Sequence, residues 1–143
     1  MARTHDASGI AIIDDQNRIL LVHQVYKDKH WSLPGGIVED NESVWTAARR
    51  ELKEEISIEA GEIELSGIYY MSHRNGYIYV FKTREYSGEL KVDGEEINEY
   101  GFFDIDNLPR PITNFTVERI RDAIENSKPV FKDQNIKDYT TLN

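Results

Sequence analysis

The spacing of hydrophobic and polar residues along the chain predicts an α/β fold. Residues 8–13 and 19–25 are mostly apolar runs on either side of the polar turn 14–17, and they predict two antiparallel strands. Residues 63–73 and 77–84 form a second such pair around Asn75 and Gly76, a dipeptide that favours a two-residue type I′ hairpin. A further strand is predicted at residues 101–104.

Residues 42–56 have the 3.6-residue period of an amphipathic helix. At about 100° per residue, Glu51, Glu54 and Glu55 fall within an arc of about 100°, and we expect them to face outward. Like charges at these offsets repel by roughly 0.2–0.5 kcal/mol per pair, and a divalent cation would replace that repulsion with coordination. The apolar stripe expected to dock on the sheet consists of Trp45, Ala48, Leu52 and Ile56.

A second helix is predicted near the end of the chain. Either Asn114 or Thr116 is expected to cap its amino terminus, and the helix is expected to end before Pro129. Its apolar stripe consists of Val117, Ile120 and Ile124.

A glycine-rich turn precedes the acidic helix. Pro34 fixes its own φ, whereas Gly35 and Gly36 permit close backbone approach, so amide or carbonyl groups can be directed at an ion or a phosphate. A Pro-Gly-Gly turn alone is usually only a turn, and an acidic helix face alone is usually only solvated. The fixed spacing between the two is what indicates a phosphate-handling metal site.

That spacing resembles the Nudix box, whose pattern is Gly, five residues, Glu, seven residues, then Arg-Glu-hydrophobic-x-Glu-Glu-x-Gly-hydrophobic. The matching positions are Gly36, Glu42, Arg50, Glu51, Leu52, Glu54, Glu55 and Ile58. Ser57 stands where the family has glycine, at a helix end where a left-handed residue is often required. A serine in that conformation costs on the order of 1–2 kcal/mol.

The resemblance implies an α/β/α sandwich with a mixed β-sheet, and it implies Mg²⁺ as the cofactor, with Mn²⁺ as a possible substitute. It assigns catalysis to Glu51, Glu54 and Glu55 with Arg50, and metal binding to the same glutamates together with a backbone carbonyl of Gly35 or Gly36. The proton acceptor is then one of these glutamates or an acidic side chain of a later loop.

Residues 93–99 form an acidic loop where many family members place a further glutamate. Glu96 is the first choice for this additional metal-site residue and Glu99 the second, while a merely solvated acidic loop is an equally weighted alternative. Glu42 and Arg50 are interpreted as a charge pair that orients the glutamates, with contact between Arg50 and phosphate as the alternative.

Composition limits the classes of function. The chain has 143 residues and 39% hydrophobic content, which suits one domain spanning residues 1–143. It has no apolar run long enough to span a bilayer and no apolar signal core in its first six residues, so a cytoplasmic location is expected. It has no cysteine, which excludes disulfides, thiolate catalysis and zinc sites built on sulfur. A net charge of −9 disfavours coating of a nucleic acid polymer.

These observations predict a Mg²⁺-dependent Nudix pyrophosphohydrolase. Its substrate is expected to be a nucleoside diphosphate linked to another moiety, or a nucleoside triphosphate. The alternative is a non-catalytic nucleotide-sensing or interaction domain on the same fold. Homodimerisation through exposed edge strands is a further possibility.

Overall fold

The computed structural model describes residues 5–25 and 29–143. Within them the helices are α1 (Val44–Ile56) and α2 (Asn114–Glu125). Single 3₁₀ turns lie at Ser72–Arg74 and Ile136–Asp138. The strands are β1 (Ala7–Ile12), β2 (Ile19–Gln24), β3 (Trp31–Ser32), β4 (Gly35–Ile37), β5 (Glu59–Ala60), β6 (Glu64–Met71), β7 (Gly76–Thr83), β8 (Tyr86–Ser87), β9 (Ile97–Phe103), β10 (Ile112–Thr113), β11 (Val130–Asp133) and β12 (Thr141–Leu142).

The strands confirm the predicted α/β class with mixed pairing. They divide mainly between two five-stranded sheets, in the orders β11-β6-β7-β1-β4 and β12-β10-β3-β2-β9. Each sheet combines parallel and antiparallel neighbours. Neither α1 nor α2 combines the length and apolarity needed to cross a membrane.

Two hydrophobic clusters fill the interior. The first places Ala48, Leu52 and Ile56 of α1 against β1, β2 and β7, and the second places Ile120 and Ala123 of α2 against residues of β1, β2, β3 and β10. Each helix therefore covers its own cluster, and α1 also contacts β4, the strand that contains the glycine turn.

The expectation that β1 and β2 form an antiparallel pair is wrong except at one bridge, between Ile13 and Ile19. Beyond that bridge β1 pairs in parallel with β7 and antiparallel with β4, whereas β2 pairs with β3 and β9. The two strands diverge into different sheets, and each gains a hydrogen-bonded neighbour on both of its edges.

The predicted two-residue type I′ turn between β6 and β7 is also wrong. The connection is the 3₁₀ turn Ser72–Arg74 followed by Asn75, which is left-handed with φ 47° and ψ 50°. Gly76 is already paired with Met71 in the sheet. A Cβ on Gly76 would lie 2.4 Å from the carbonyl oxygen of His5, so the glycine is required for close packing rather than for the turn.

The orientation of α1 differs from the predicted one. Trp45 is 58% exposed, so it does not belong to the docking stripe, whereas Ala47 is fully buried. Glu55, expected to face outward, is only 4% exposed. Because α1 packs against β4 and β1 as well as the core, its buried arc extends from the apolar stripe into the acidic face.

The apolar stripe of α2 is confirmed, because Ile120 is buried in the second cluster and Val117 and Ile124 pack against it. The cap is neither predicted residue. Thr113 caps the helix, and its hydroxyl accepts a hydrogen bond of 3.2 Å from the backbone N–H of Thr116.

Ser57 ends α1 in the left-handed conformation expected for the family's glycine. Its φ is 67° and its ψ is 21°, and its N–H donates to the carbonyl of Lys53 at 3.0 Å. The serine therefore retains the helix-terminating geometry despite the steric cost of its Cβ.

Ser57→Gly is expected to raise the free energy of unfolding by about 1 kcal/mol, because glycine adopts positive φ without a Cβ clash. Urea denaturation followed by circular dichroism measures the change. Ser127→Gly is the control, since Ser127 is exposed and lacks a positive φ, and it is expected to be neutral or destabilising. Equal effects of the two substitutions would contradict the explanation.

Candidate active site

A single hydrogen bond joins the glycine turn to the acidic helix. The backbone N–H of Gly35 donates to Oε1 of Glu55 at 2.8 Å. Gly35 also pairs with Gly9 of β1, and a Cβ on Gly35 would lie 2.3 Å from the carbonyl oxygen of Ser8. A side chain at Gly35 therefore cannot be accommodated without moving β1 or the turn.

The next glycine brings the turn against a second glutamate. A Cβ on Gly36 would lie 2.7 Å from both Cδ and Oε1 of Glu51. The side chain of Glu51 is 13% exposed, so its carboxylate is enclosed between α1 and β4. The two glycines thus permit two helix carboxylates to approach the backbone closely.

Arg50 contacts four acidic side chains at this site, those of Glu39, Glu42, Glu51 and Glu54. Its Nε and Nη2 donate to the two carboxylate oxygens of Glu42 at 2.7 and 3.0 Å, a bidentate geometry. Its Nη1 donates to Glu51 at 2.9 Å and to Glu54 at 3.2 Å. The predicted pairing of Arg50 with Glu42 is therefore observed.

Charge and hydrogen bonding in this network shift two pKa values in opposite directions. Hydrogen bonds from Arg50 hold the pKa of Glu42 below its ordinary value, and Glu42 in turn raises the pKa of Arg50. The network also includes Glu39, whose carboxylate lies 3.4 Å from Nη1 of Arg50, and the carbonyl of Ile37, which accepts from Nη2 at 3.2 Å. Sequence reasoning assigned no role to Glu39.

Burial raises the pKa of the two enclosed glutamates, Glu51 and Glu55, whereas hydrogen bonding lowers the pKa of Glu42. Burial raises the pKa of Glu55 to about 9, against the hydrogen bond from Gly35, and the negative charges of Glu51, Glu96 and Asp93 raise it further. Burial also raises the pKa of Glu51, although the hydrogen bond from Arg50 opposes the shift. Glu55 therefore holds its proton at neutral pH in the absence of a cation.

The two candidate glutamates of the later loop have different surroundings. Glu96 lines an open cavity of about 490 Å³ together with Gly35, Gly36 and Glu51. Glu99 instead accepts a hydrogen bond of 2.8 Å from Nδ1 of His23. The structure thus brings Glu96 to the glycine turn and directs Glu99 to a separate hydrogen bond with His23.

Glu54 differs from the two enclosed glutamates of the helix. Its side chain is 58% exposed and contacts Nη1 of Arg50 at 3.2 Å. The three helix glutamates therefore form a gradient from the buried Glu55 through Glu51 to the exposed Glu54.

Comparison with known proteins identifies the family. The sequence profile of the NUDIX domain matches residues 3–123. This chain belongs to the Nudix family. It is 37% identical over 113 residues to an ADP-ribose pyrophosphatase of Methanocaldococcus jannaschii, a match that covers 74% of this chain and 66% of that protein. It is also 25% identical over 142 residues to an RNA pyrophosphohydrolase of Pelagibacter ubique, covering 85% and 90% of the two chains.

The fold comparison agrees. The crystal structure of a MutT NUDIX hydrolase from Burkholderia pseudomallei superimposes with a TM-score of 0.76 at 29% identity, covering 85% of this chain and 98% of that one. Its agreement confirms that this chain has the Nudix architecture. The region from Gly36 to Ile58 is accordingly called the Nudix segment below.

The donor atoms of the Nudix segment fit a hard divalent cation. They are carboxylate and carbonyl oxygens, the ligand type that Mg²⁺ and Mn²⁺ prefer, and no cysteine competes. Across residues 5–25 and 29–143, no group of three or more His, Asp or Glu side chains is arranged as a ready metal site. Nη1 of Arg50 donates to Oε1 of Glu51 and to Oε2 of Glu54, so these bonds use one oxygen of each carboxylate and leave the other oxygen for a cation.

Glu55→Gln is expected to stabilise the metal-free protein above neutral pH. The folded wild type keeps a proton that the unfolded chain releases near pH 4.5, so wild-type stability falls as pH rises from there through about 9. Glutamine loses no proton, and its amide oxygen can still accept from Gly35. We expect the melting temperature of the variant to exceed that of wild type by roughly 5 °C or more at pH 8.

Thermal unfolding in chelator between pH 5 and 9 measures this difference. Glu62→Gln, an exposed glutamate outside the site, is the control and should follow the wild-type profile. Parallel profiles for wild type and Glu55→Gln would show that Glu55 is already ionised in the fold.

Proposed function

We propose that this Nudix protein is a Mg²⁺-dependent pyrophosphohydrolase, with Mn²⁺ as a substitute cation. Its substrate is a nucleoside diphosphate linked to another moiety, or a nucleoside triphosphate. The observation that supports this most strongly is the convergence of Glu51, Glu55 and Glu96 on the Gly35–Gly36 turn beside an open cavity. Membership of the Nudix family supports the same reaction.

The residues divide into ligands and supports. Glu51, Glu54 and Glu55, with the carbonyl of Gly36, would hold the cation, and Glu96 would add a carboxylate from the opposite side of the cavity. When bound, Mg²⁺ supplies charge neutralisation for phosphate oxygens and a more acidic water. Arg50 serves catalysis by fixing Glu51 and Glu54 through a guanidinium anchored on Glu42.

Proton transfer is assigned to the same glutamates. An attacking water must lose a proton, and a carboxylate with a raised pKa accepts it more readily than an ordinary glutamate. Glu51 combines a raised pKa with a side chain at the cavity wall, which suits it to this role. Glu55 is more deeply enclosed and is better placed to hold the turn.

The proposed substrate is small. A net charge of −9 disfavours binding of a nucleic acid polymer, whereas a small diphosphate can arrive with neutralising cations. One relative is named an ADP-ribose pyrophosphatase and another an RNA pyrophosphohydrolase. A substrate panel should therefore contain ADP-ribose, nucleotide sugars, dinucleoside polyphosphates, nucleoside triphosphates and 5′-triphosphorylated RNA, each with and without Mg²⁺ or Mn²⁺.

Glu54→Gln is expected to lower kcat by at least about 100-fold on the best substrate of that panel, because the amide keeps the side-chain shape and loses the charge. Chromatographic product analysis measures the rate, and circular dichroism checks the fold. Glu62→Gln is the matched control and should keep wild-type turnover. Full activity of Glu54→Gln, or of wild type in excess chelator, would refute the mechanism, and tight nucleotide binding without product would assign a binding-only function.

The two loop glutamates give a sharper comparison. Glu96→Gln is expected to lower turnover by about 10-fold or more, because it removes a carboxylate from the cavity wall. Glu99→Gln should change turnover less than about threefold, because Glu99 contacts His23 instead. Steady-state kinetics at saturating Mg²⁺ measures both variants, and the reverse order would transfer the role from Glu96 to Glu99.

A homodimer and a cytoplasmic location stay predictions from sequence. Strands β11 and β9 each end a sheet in the described part of the chain, and such edges favour pairing between chains. Sedimentation velocity and cell fractionation measure the two properties.

A further inference from the structure

The loop that contains Glu96 is organised by one side chain, that of Asp93. Its Oδ1 accepts hydrogen bonds from three successive backbone N–H groups, those of Glu95, Glu96 and Ile97, at 3.1, 3.2 and 3.0 Å. Gly94 supplies the positive φ of 78° that the turn needs, and its N–H donates to the carbonyl of Ile97 at 3.0 Å. One carboxylate oxygen thus fixes the backbone on both sides of Glu96.

Asp93 is also hydrogen-bonded through its backbone to the carboxyl end of α1. The N–H of Asp93 donates to the carbonyl of Glu55 at 3.1 Å, and the N–H of Lys91 donates to the carbonyl of Ile56 at 3.0 Å. These bonds satisfy carbonyls at the helix terminus that have no partner inside the helix. Asp93 therefore connects the backbone of one enclosed glutamate, Glu55, with the backbone of the loop glutamate, Glu96.

Electrostatics explains why such a clamp is needed. Glu96 lines the cavity together with Glu51, and its negative charge contributes to the raised pKa of both Glu51 and Glu55. Glu96 is itself on an exposed loop, so repulsion alone would move it toward solvent. The N–H of Val25, the residue after β2, donates to the carbonyl of Glu96 at 2.9 Å and fixes the loop to the end of β2. The hydrogen bonds to Asp93 determine the conformation of the loop itself.

We propose that Asp93 is a positioning residue of the active site, whose carboxylate holds the 93–97 turn so that Glu96 stays opposite Glu51. Asp93 does not itself line the cavity, and it acts through Glu96. The inference rests on the proposed metal site and adds to it the residue that sets the position of its loop ligand.

The test compares Asp93→Ala with Asp93→Asn. Alanine removes the acceptor, whereas asparagine keeps an oxygen able to accept the three N–H bonds. We expect Asp93→Ala to weaken Mn²⁺ binding by about 10-fold, measured by calorimetry and by electron paramagnetic resonance of the free ion, and Asp93→Asn to restore affinity to within about threefold of wild type. Backbone amide exchange at residues 95–97 should accelerate in Asp93→Ala and not in Asp93→Asn.

A matched control is Asp14, in the turn that follows the carboxyl end of β1. Oδ1 of Asp14 accepts from the N–H groups of Gln16 and Arg18 at 2.9 and 2.8 Å, so it organises a turn in the same way but away from the glutamates. Asp14→Ala should lower the melting temperature without changing Mn²⁺ affinity. A loss of affinity in Asp14→Ala equal to that in Asp93→Ala would reduce the effect to general destabilisation and overturn the proposal.

A double-mutant cycle provides the decisive result. If Asp93 acts through Glu96, then adding Asp93→Ala to Glu96→Gln should lower Mn²⁺ affinity by less than about twofold beyond Glu96→Gln alone. Additive losses, or wild-type affinity in Asp93→Ala, would overturn the inference. Because the readout is cation binding, a non-additive cycle in a protein that hydrolyses no substrate would leave the positioning role standing while the proposed function fails.

Discussion

The site depends on the hydrogen bond between the Gly35 N–H and the Glu55 carboxyl group. This hydrogen bond, 2.8 Å long, fixes the glycine turn to α1, and it requires the side chain of Glu55 to be buried. A steric constraint accompanies the contact, because a Cβ on Gly35 would lie 2.3 Å from the carbonyl oxygen of Ser8, whereas a Cβ on Gly36 would meet the carboxylate of Glu51. The remaining elements position this pair: β1 supports the turn, the core cluster under α1 fixes the helix, and Ser57 ends the helix so that the chain can continue into β5.

Burial of this glutamate makes the metal-free site electrostatically unfavourable. Glu51 and Glu96 line one cavity and Glu55 lies beneath the glycine turn beside it, so acidic groups are crowded there, and Arg50 neutralises part of the charge through its bond to Glu51. The proton on Glu55 and the bridge from Arg50 to Glu51 and Glu54 both reduce the repulsion among these carboxylates. A divalent cation would favour the ionised carboxylates, so its binding would be coupled to proton release from Glu55. The same groups that reduce stability without metal are those that would give the proposed site its affinity for a cation.

The supports of the site are as informative as its ligands. Glu42 holds Arg50 in a bidentate pair, and Asp93 holds three backbone N–H groups beside Glu96. Glu42 and Asp93 are themselves acidic and lie close to other carboxylates. Glu42 is stabilised by the guanidinium of Arg50 and Asp93 by backbone N–H groups, and neither set of bonds displaces the carboxylates at the cavity. Fold similarity alone would not indicate this chemistry, because one architecture supports many functions. The positions of particular carboxylates relative to the glycine turn are what support phosphoanhydride hydrolysis.

Sequence by itself determined the fold class, the glycine turn and the acidic helix, because periodicity and fixed spacing are local properties. The spacing of Gly36, Glu42, Arg50, Glu51, Glu54 and Glu55 was enough to indicate the family. The same spacing showed that Ser57 replaces the family's glycine at the helix end, and the structure showed that the serine adopts the left-handed conformation.

Tertiary structure decided which face of the helix is buried and which loop glutamate reaches the site. The packing of α1 against β4 exposed Trp45 and enclosed Glu55, and the bulge in the β2–β9 pairing, where His23 pairs with Glu99 and Gln24 with Ile97, together with the contact between His23 and Glu99, left Glu96 at the cavity. These outcomes depend on the pairing of strands distant in sequence, and no local pattern contains the register of such pairs.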